Sequence, residues 1–341
     1  MSFDILDHDV GRGNDVEEVR VGAVAVFDGH IGSSASNMAA RIFLDKFMVN
    51  LNNNSIEQSS DFKEILKSSL VTTIDDIDAE FTKVAFEYHL YAGSTAVVAL
   101  IYNNHVLVAN VGDSKAFLCY QKEISHEDDE DAASLGDLFA KELTSDHNAH
   151  RLDEKARVEA SGGVFKSILD FVPLLMGHFP MTRAIGDVPL KKYGIIADPE
   201  VTDWLSLTSK DEFLVVASDG IFESVTPQAV CDFLNEVEDY SNPSLLAHQL
   251  IQKAYLEGSN DNLSVVLVPW GFTQCASAHP KGREAVAEAV SVAVIVPKKT
   301  LILLNSRDLV MGSLNLCYLS GQGWIRTLLS TFSNFESAML H

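Results

Sequence analysis

The sequence predicts an α+β fold. Three observations lead there. Helical and strand periods occur in separate blocks, several strands follow one another through tight turns, and no regular strand–helix alternation runs along the chain. Val21 to Phe27 has the character of a buried strand and ends in Asp28-Gly29-His30. Ser33 or Ser34 then suits the cap of a helix whose apolar positions Ala35, Met38, Ala39, Ile42, Phe43 and Phe47 keep helical spacing. A polar loop is expected from Asn50 to Ser60. A second amphipathic helix follows, carrying Phe62, Ile65, Leu66, Leu70, Ile74, Ile77 and Phe81.

Beyond that helix the period changes. Ser94 to Tyr102, His105 to Val111 and Ala116 to Tyr120 are three successive strands, with a hairpin at Asn103-Asn104 and a tight turn at Gly112-Asp113-Ser114. The acidic run Glu127 to Asp131 is expected to be a solvated loop. Asp153 to Ser161 is a short helix stopped by Gly162-Gly163. Val164 to Pro180 is apolar but holds Pro173, Gly177 and Pro180, which predicts an irregular flap. Phe213 to Ala217 is another buried strand. Thr226-Pro227 and Asn242-Pro243 each open a helix with a capping side chain followed by a first-turn proline, and Leu263 to Val268 is a last strand.

A chain of 341 residues, 47% hydrophobic and 21% charged, can build a full core without staples. Its net charge of −23 excludes sequence-independent nucleic-acid binding, which needs a basic surplus, and disfavours an anionic membrane surface. Cys119, Cys231, Cys275 and Cys317 form no CxxC pair and are expected to be reduced thiols in an intracellular protein. The N-terminal residues carry no signal-peptide pattern, and no apolar stretch approaches the length of a spanning helix. Cytoplasm or nucleus is therefore the expected location, with membrane association not indicated.

The candidate chemistry lies in four aspartates at strand boundaries, each beside a small or turn-forming residue: Asp28, Asp113, Asp219 and Asp261. One Asp beside a glycine is usually a turn residue. Four such acids in one chain point to a hard divalent cation, which prefers carboxylate oxygens and water. Gly29 adds a backbone carbonyl beside Asp28. His30, two residues from Asp28, is placed to give a proton to a leaving alkoxide, because histidine titrates near physiological pH. Two metals about 4 Å apart can activate a water and clamp phosphoryl oxygens.

These residues resemble the type 2C family of metal-dependent serine/threonine protein phosphatases, in wording closest to its plant members. The resemblance is carried in order by Val26-Phe27-Asp28-Gly29-His30, Ala92-Gly93-Ser94-Thr95-Ala96, Val111-Gly112-Asp113-Ser114-Lys115 and Glu159-Ala160-Ser161-Gly162-Gly163. It continues through Met181-Thr182-Arg183-Ala184-Ile185-Gly186-Asp187, Ala217-Ser218-Asp219-Gly220-Ile221-Phe222 and Ser259-Asn260-Asp261-Asn262-Leu263-Ser264, and spans roughly residues 21–269. It implies a four-layer α-β-β-α sandwich of two antiparallel sheets around a two-ion Mg2+ or Mn2+ centre. Position by position, Asp28 resembles the bridging ligand, Gly29 the carbonyl ligand, Asp219 and Asp261 ligands of the first metal, and Asp113 the acid of a weak third. His30 resembles the general acid, and the flap the part that influences substrate choice. The implied reaction is attack by a metal-activated water on protein phosphoserine or phosphothreonine, without a phosphoenzyme.

The chain departs from the family pattern in several places. The Arg and the Glu-Asp pair that members carry before the Asp-Gly-His motif have no clear match; Asp4, Asp7 and Asp9 stand there instead. The expected domain, 1–272, is thus N-terminally incomplete, without its first strands, and 273–341 is a divergent tail matching nothing in the family. Glu223 stands where an Asp is usual, and Pro180 where a small residue is usual. The implied partners are phosphorylated proteins, protein kinases among them, and the expected state is a monomer. The alternative is an impaired relative that binds phosphoproteins or kinases as a regulatory module.

Overall fold

The computed structural model describes residues 2–5, 21–57, 61–122, 137–166, 173–237, 242–270, 291–296 and 300–303. In chain order the first elements are β1 (Ser2–Ile5), β2 (Val21–Val26), β3 (Gly29–His30), α1 (Ser34–Glu57), α2 (Phe62–Tyr88), β4 (Gly93–Ser94), β5 (Ala96–Tyr102), β6 (His105–Val111) and β7 (Lys115–Gln121). There follow β8 (Leu138–Glu142), α3 (Leu152–Ala160), β9 (Phe165–Lys166), β10 (Leu174–Leu175), β11 (Ile185–Gly186), α4 (Val188–Lys191), β12 (Glu200–Val201) and β13 (Leu205–Ser206). The last are β14 (Asp211–Ala217), α5 (Asp219–Phe222), α6 (Pro227–Asn235), α7 (Pro243–Leu256), β15 (Leu263–Pro269), β16 (Ser291–Val296) and β17 (Thr300–Leu303).

Two antiparallel sheets carry the fold. One runs β1-β2-β5-β6-β12, with β13 also on β6; the other runs β17-β16-β15-β14-β7-β8. Their facing sides share a core of Val24, Val26, Val97, Ala99, Val106 and Val108 against Ala116, Leu118, Leu214, Val216, Val266 and Val268. The alternate residues of the first sheet, such as Ala23, Val98, Leu100 and Leu107, face away and pack against Phe43, Phe47, Leu66, Leu70, Ile74 and Ile77 of α1 and α2. On the opposite outer side, Phe117, Val215, Ala217, Val265 and Leu267 pack against α6 and α7. Both strand faces are therefore apolar, and the result is the α-β-β-α sandwich.

The Asn103-Asn104 hairpin forms as the sequence requires, both residues in the left-handed region at φ 46° and 59°. The two proline-led helices are capped as expected, by Thr226 onto Ala229 N–H and by Asn242 onto Leu245 N–H.

Elsewhere the structure corrects the sequence reading. The polar stretch after Asn50 is helical, since α1 continues to Glu57. Its asparagines face α2: Asn50 Nδ2 donates to Thr73 Oγ1 and Asp76 Oδ2, and Asn54 Nδ2 donates to Ser69 Oγ at 2.9 Å. Side-chain bonds between the helices thus replace the loop that composition suggested. Ser2 to Ile5, from a stretch without strand pattern, pairs antiparallel with β2, so a strand lies along that edge. From the expected tail, β16 pairs with β15 and β17 with β16. The flap begins as a small hairpin, β9 with β10.

The cysteines are also corrected. Cys119 on β7 and Cys231 on α6 form a disulfide with their Cα atoms 5.4 Å apart, although 112 residues separate them in sequence. Both are buried where α6 lies over the outer sheet, a proximity created by helix packing rather than by spacing. The pairing removes the argument from reduced thiols to an intracellular setting. Cys275, Cys317, Asp7, Asp9 and the acidic run Glu127 to Asp131 lie outside the described residues. Among the described residues no helix is long and apolar enough to cross a membrane.

Candidate metal centre

The strand-end aspartates gather where the two sheets meet. Asp28 lies just past β2, Asp113 in the turn that carries the chain from β6 in one sheet to β7 in the other, Asp219 at the start of α5 directly after β14, and Asp261 before β15. Burial is the main cause that raises the Asp28 carboxyl well above the usual carboxylate range, and the nearby acids Asp219, Asp261 and Asp113 push it the same way. Asp219 is raised chiefly by burial, with Asp261 and Glu223 adding to the effect, while a hydrogen bond shared with Asp28 acts against it. Asp113 is pushed up to about 7, by burial first and then by Asp219 and Asp146. The largest charge effects on Asp28 all come from acids, whereas His30 pulls Asp113 the other way.

The supports around these acids are specific. Thr95 Oγ1 accepts from Asp28 N–H at 3.1 Å, and Thr95 N–H donates to Asp28 O at 2.9 Å. Thr95 Oγ1 also meets Ser114 Oγ at 2.8 Å, beside Asp113. A Cβ at Gly29 would collide with Ser36 of α1, so only glycine lets this carbonyl-bearing turn lie against the helix. In the second sheet, Ser218 Oγ donates to Asn262 O at 3.0 Å and accepts from Ser264 N–H at 3.0 Å. Glu223 Oε2 accepts from Ser259 Oγ at 3.0 Å and Asn260 N–H at 3.1 Å, which ties the end of α5 to the loop bearing Asp261. The longer acid at this position is engaged in holding that loop.

His30 stands on β3, half-buried, with Nε2 2.5 Å from Asp187 Oδ2. Thr95, Ser114 and Asp187 lie within the family-like motifs, but their contacts could not be read from sequence. The signal available was only that Asp187 closes the Met181 to Asp187 motif.

Among the described residues, no three His, Cys, Asp or Glu side chains are gathered into a ready cage for one ion. Crowded, partly buried carboxylates that raise one another fit a divalent charge.

The Protein phosphatase 2C family profile matches residues 7–263. The chain belongs to the protein phosphatase 2C family. An Arabidopsis thaliana relative, "Probable protein phosphatase 2C 51", is 33% identical over an alignment covering 90% of this chain and 74% of that protein. Among solved structures, the C. elegans sex determining protein is similar at 26% identity and a TM-score of 0.59, over 78% of this chain and 60% of that one. The serine-threonine phosphatase 2C from Toxoplasma gondii, at 19% identity, shares the fold, with a TM-score of 0.58 over 77% of this chain and 92% of that one. Protein phosphatase 2C enzymes are protein serine/threonine phosphatases, generally dependent on Mg2+ or Mn2+, and the chain is accordingly a hydrolase acting on phosphoproteins.

Proposed function

We propose that Asp28, the Gly29 carbonyl, Asp219 and Asp261 hold two divalent ions, Mg2+ or Mn2+, with Asp113 contributing to a weaker third, and that His30 is the general acid. The observation that carries this reading is the group of raised carboxyls, Asp28, Asp113 and Asp219, shifted by burial and by one another. Bound there, divalent ions would supply positive charge for phosphoryl oxygens and make a water more acidic. Asp28 suits a bridging role because its carboxyl feels Asp219, Asp261 and Asp113 together.

The protein's own part is positioning and proton transfer. The strand-end turns, braced by Thr95, Ser114, Ser218 and Glu223, keep the acids fixed while they are desolvated. A water oxygen bonds to phosphorus as the ester P–O bond breaks, and His30 gives a proton to the departing serine or threonine oxygen. No covalent enzyme intermediate is needed. Protein kinases, themselves carriers of phosphoserine and phosphothreonine, fall within this substrate class.

The test is phosphate release from a phosphothreonine peptide with Mn2+, beside an Asp219→Asn control. Turnover that requires the metal and is lost in the control is expected. No turnover above the control would instead leave the chain as a phosphoprotein-binding relative.

A further inference from the structure

His30 is held from two sides. Its Nε2 lies 2.5 Å from Asp187 Oδ2, and its ring centroid lies 5.3 Å from that of Phe179 in the flap. Sequence separates His30 and Asp187 by 157 positions. A small three-stranded sheet, β11-β4-β3, brings them together. His30 pairs with Gly93 from one side of β4, and Gly186 pairs with the same Gly93 from the other. A Cβ on Gly93 would collide with both the His30 imidazole and the Asp187 carboxylate, so the missing side chain is what allows the two to meet.

Asp187 makes this contact at local cost. It is a non-glycine residue in the left-handed region, at φ 47° and ψ 40°, a conformation uncommon outside glycine. It occupies the N-cap of α4, where an aspartate ordinarily accepts from the helix amides, yet it makes no such bond. Its side chain is only 1% exposed, and among the described residues His30 is its one ion-pair partner. The backbone around it is pinned. Gly186 N–H donates to Asp78 Oδ1 at 2.7 Å, Asp187 N–H to Ala92 O at 3.2 Å, and Lys191 Nζ to Ala184 O at 2.9 Å. Upstream, Thr182 and Arg183 are both bonded to the buried Glu154. A buried carboxylate, turned away from the helix it could cap and held by its neighbours toward one imidazole, is a positioning device.

We propose that Asp187 is a positioning residue for His30. It accepts from Nε2–H, which fixes the ring's rotation and tautomer and leaves Nδ1 as the nitrogen that serves the substrate. The proposal rests on His30 acting as the proton donor. His30 enters the step with both nitrogens protonated. The P–O bond to the serine or threonine oxygen breaks, that oxygen takes the Nδ1 proton, and a water oxygen forms the new P–O bond. The water's proton passes to solvent, from which Nδ1 is later reprotonated. Nε2–H stays on Asp187 throughout.

The experiment compares the full chain with Asp187→Asn, His30→Gln and the double variant, in Mn2+, on a phosphothreonine peptide and on p-nitrophenyl phosphate. The aryl ester leaves without help from a proton; the threonine alkoxide does not. Asp187→Asn is expected to lower kcat on the peptide about 10–100-fold with KM within about twofold, and to change the aryl ester less than about threefold. The double variant should be no slower on the peptide than His30→Gln alone. Equal loss on both substrates, multiplying losses in the double variant, or an unchanged peptide kcat would overturn the proposal. A second arm is independent of turnover: 15N NMR of histidine-labelled protein should show the neutral His30 ring as the Nε2–H tautomer, and loss of that preference in Asp187→Ala. The same tautomer in both proteins would also overturn it. If the unaltered chain turns over neither substrate, the phosphatase reading fails, and the NMR arm still decides the role of Asp187.

Discussion

Thr95 Oγ1 and Ser114 Oγ lie 2.8 Å apart, and through them the corner bearing Asp28 is joined to the corner bearing Asp113. Both residues are buried, and Thr95 also receives the Asp28 N–H. Thr95→Val keeps the shape but leaves that amide and the Ser114 hydroxyl short of a partner. The expected loss is about 1–3 kcal/mol in chemical denaturation, together with a higher Mn2+ concentration for half-maximal thermal stabilisation. An unchanged denaturation midpoint and an unchanged Mn2+ titration would show that the two corners are held independently.

The raised Asp113 makes stability depend on pH in a defined direction. Its carboxyl is pushed up to about 7 in the folded chain, by burial first, from an ordinary value of 3.8. Between these values the folded chain keeps a proton that the unfolded chain has released, so this group's stabilisation is full below pH 3.8 and lost as pH rises through 7. His147 acts oppositely, since burial lowers it to about 4, and a wild-type melt alone would mix the two. The informative comparison is metal-free wild type against Asp113→Asn. The variant should match wild type near pH 4 and exceed it at about pH 8, and Mn2+ should stabilise wild type more at the higher pH. A difference that does not vary with pH would refute this assignment.

Glu154 anchors the segment that carries Asp187. It is buried and takes Arg157 Nη2 at 2.7 Å, Arg183 Nη2 at 2.7 Å and Thr182 Oγ1 at 2.6 Å. Burial pushes its carboxyl up, but the bonds from Arg157, Arg183 and Thr182 outweigh that and hold it below the usual range. Glu154→Gln leaves two guanidinium groups without their shared anion. Breaking a buried pair costs roughly 3–5 kcal/mol, and the partial exposure of both arginines places this case at the lower end. Because a depressed carboxyl stabilises above its unfolded pKa and loses that effect in acid, the gap between wild type and variant should narrow from about pH 5 to about pH 2. A gap constant with pH would mean that the packing, not the charge, is what Glu154 supplies.

The local pattern was legible wherever one element's own residues decide its form. The α2 face from Ile65 to Phe81 is buried as its spacing requires, the paired left-handed asparagines close their hairpin, and Thr226 and Asn242 cap the helices opened by proline. Asn50 and Asn54 misled because polar residues at helical spacing look like a loop until a second helix offers them partners. Ser2 to Ile5 and Ser291 to Val296 were missed for a related reason. Each takes its backbone hydrogen bonds from neighbouring strands, β1 from one side and Ser291 to Val296 from both, so its own sequence need not alternate clearly.

By itself the sequence determined the α+β class, the strand ends bearing Asp28, Asp113, Asp219 and Asp261, and the family motifs around them, because short-range spacing and turn chemistry are written in adjacent residues. Tertiary structure alone decided what those residues meet. It set Asp187 against His30 across Gly93, Thr95 against Ser114, Glu223 against the loop of Asp261 and Cys119 against Cys231. Each contact joins segments far apart in the chain, and burial then fixes its strength, since desolvation and neighbouring charge exist only once the sheets have packed.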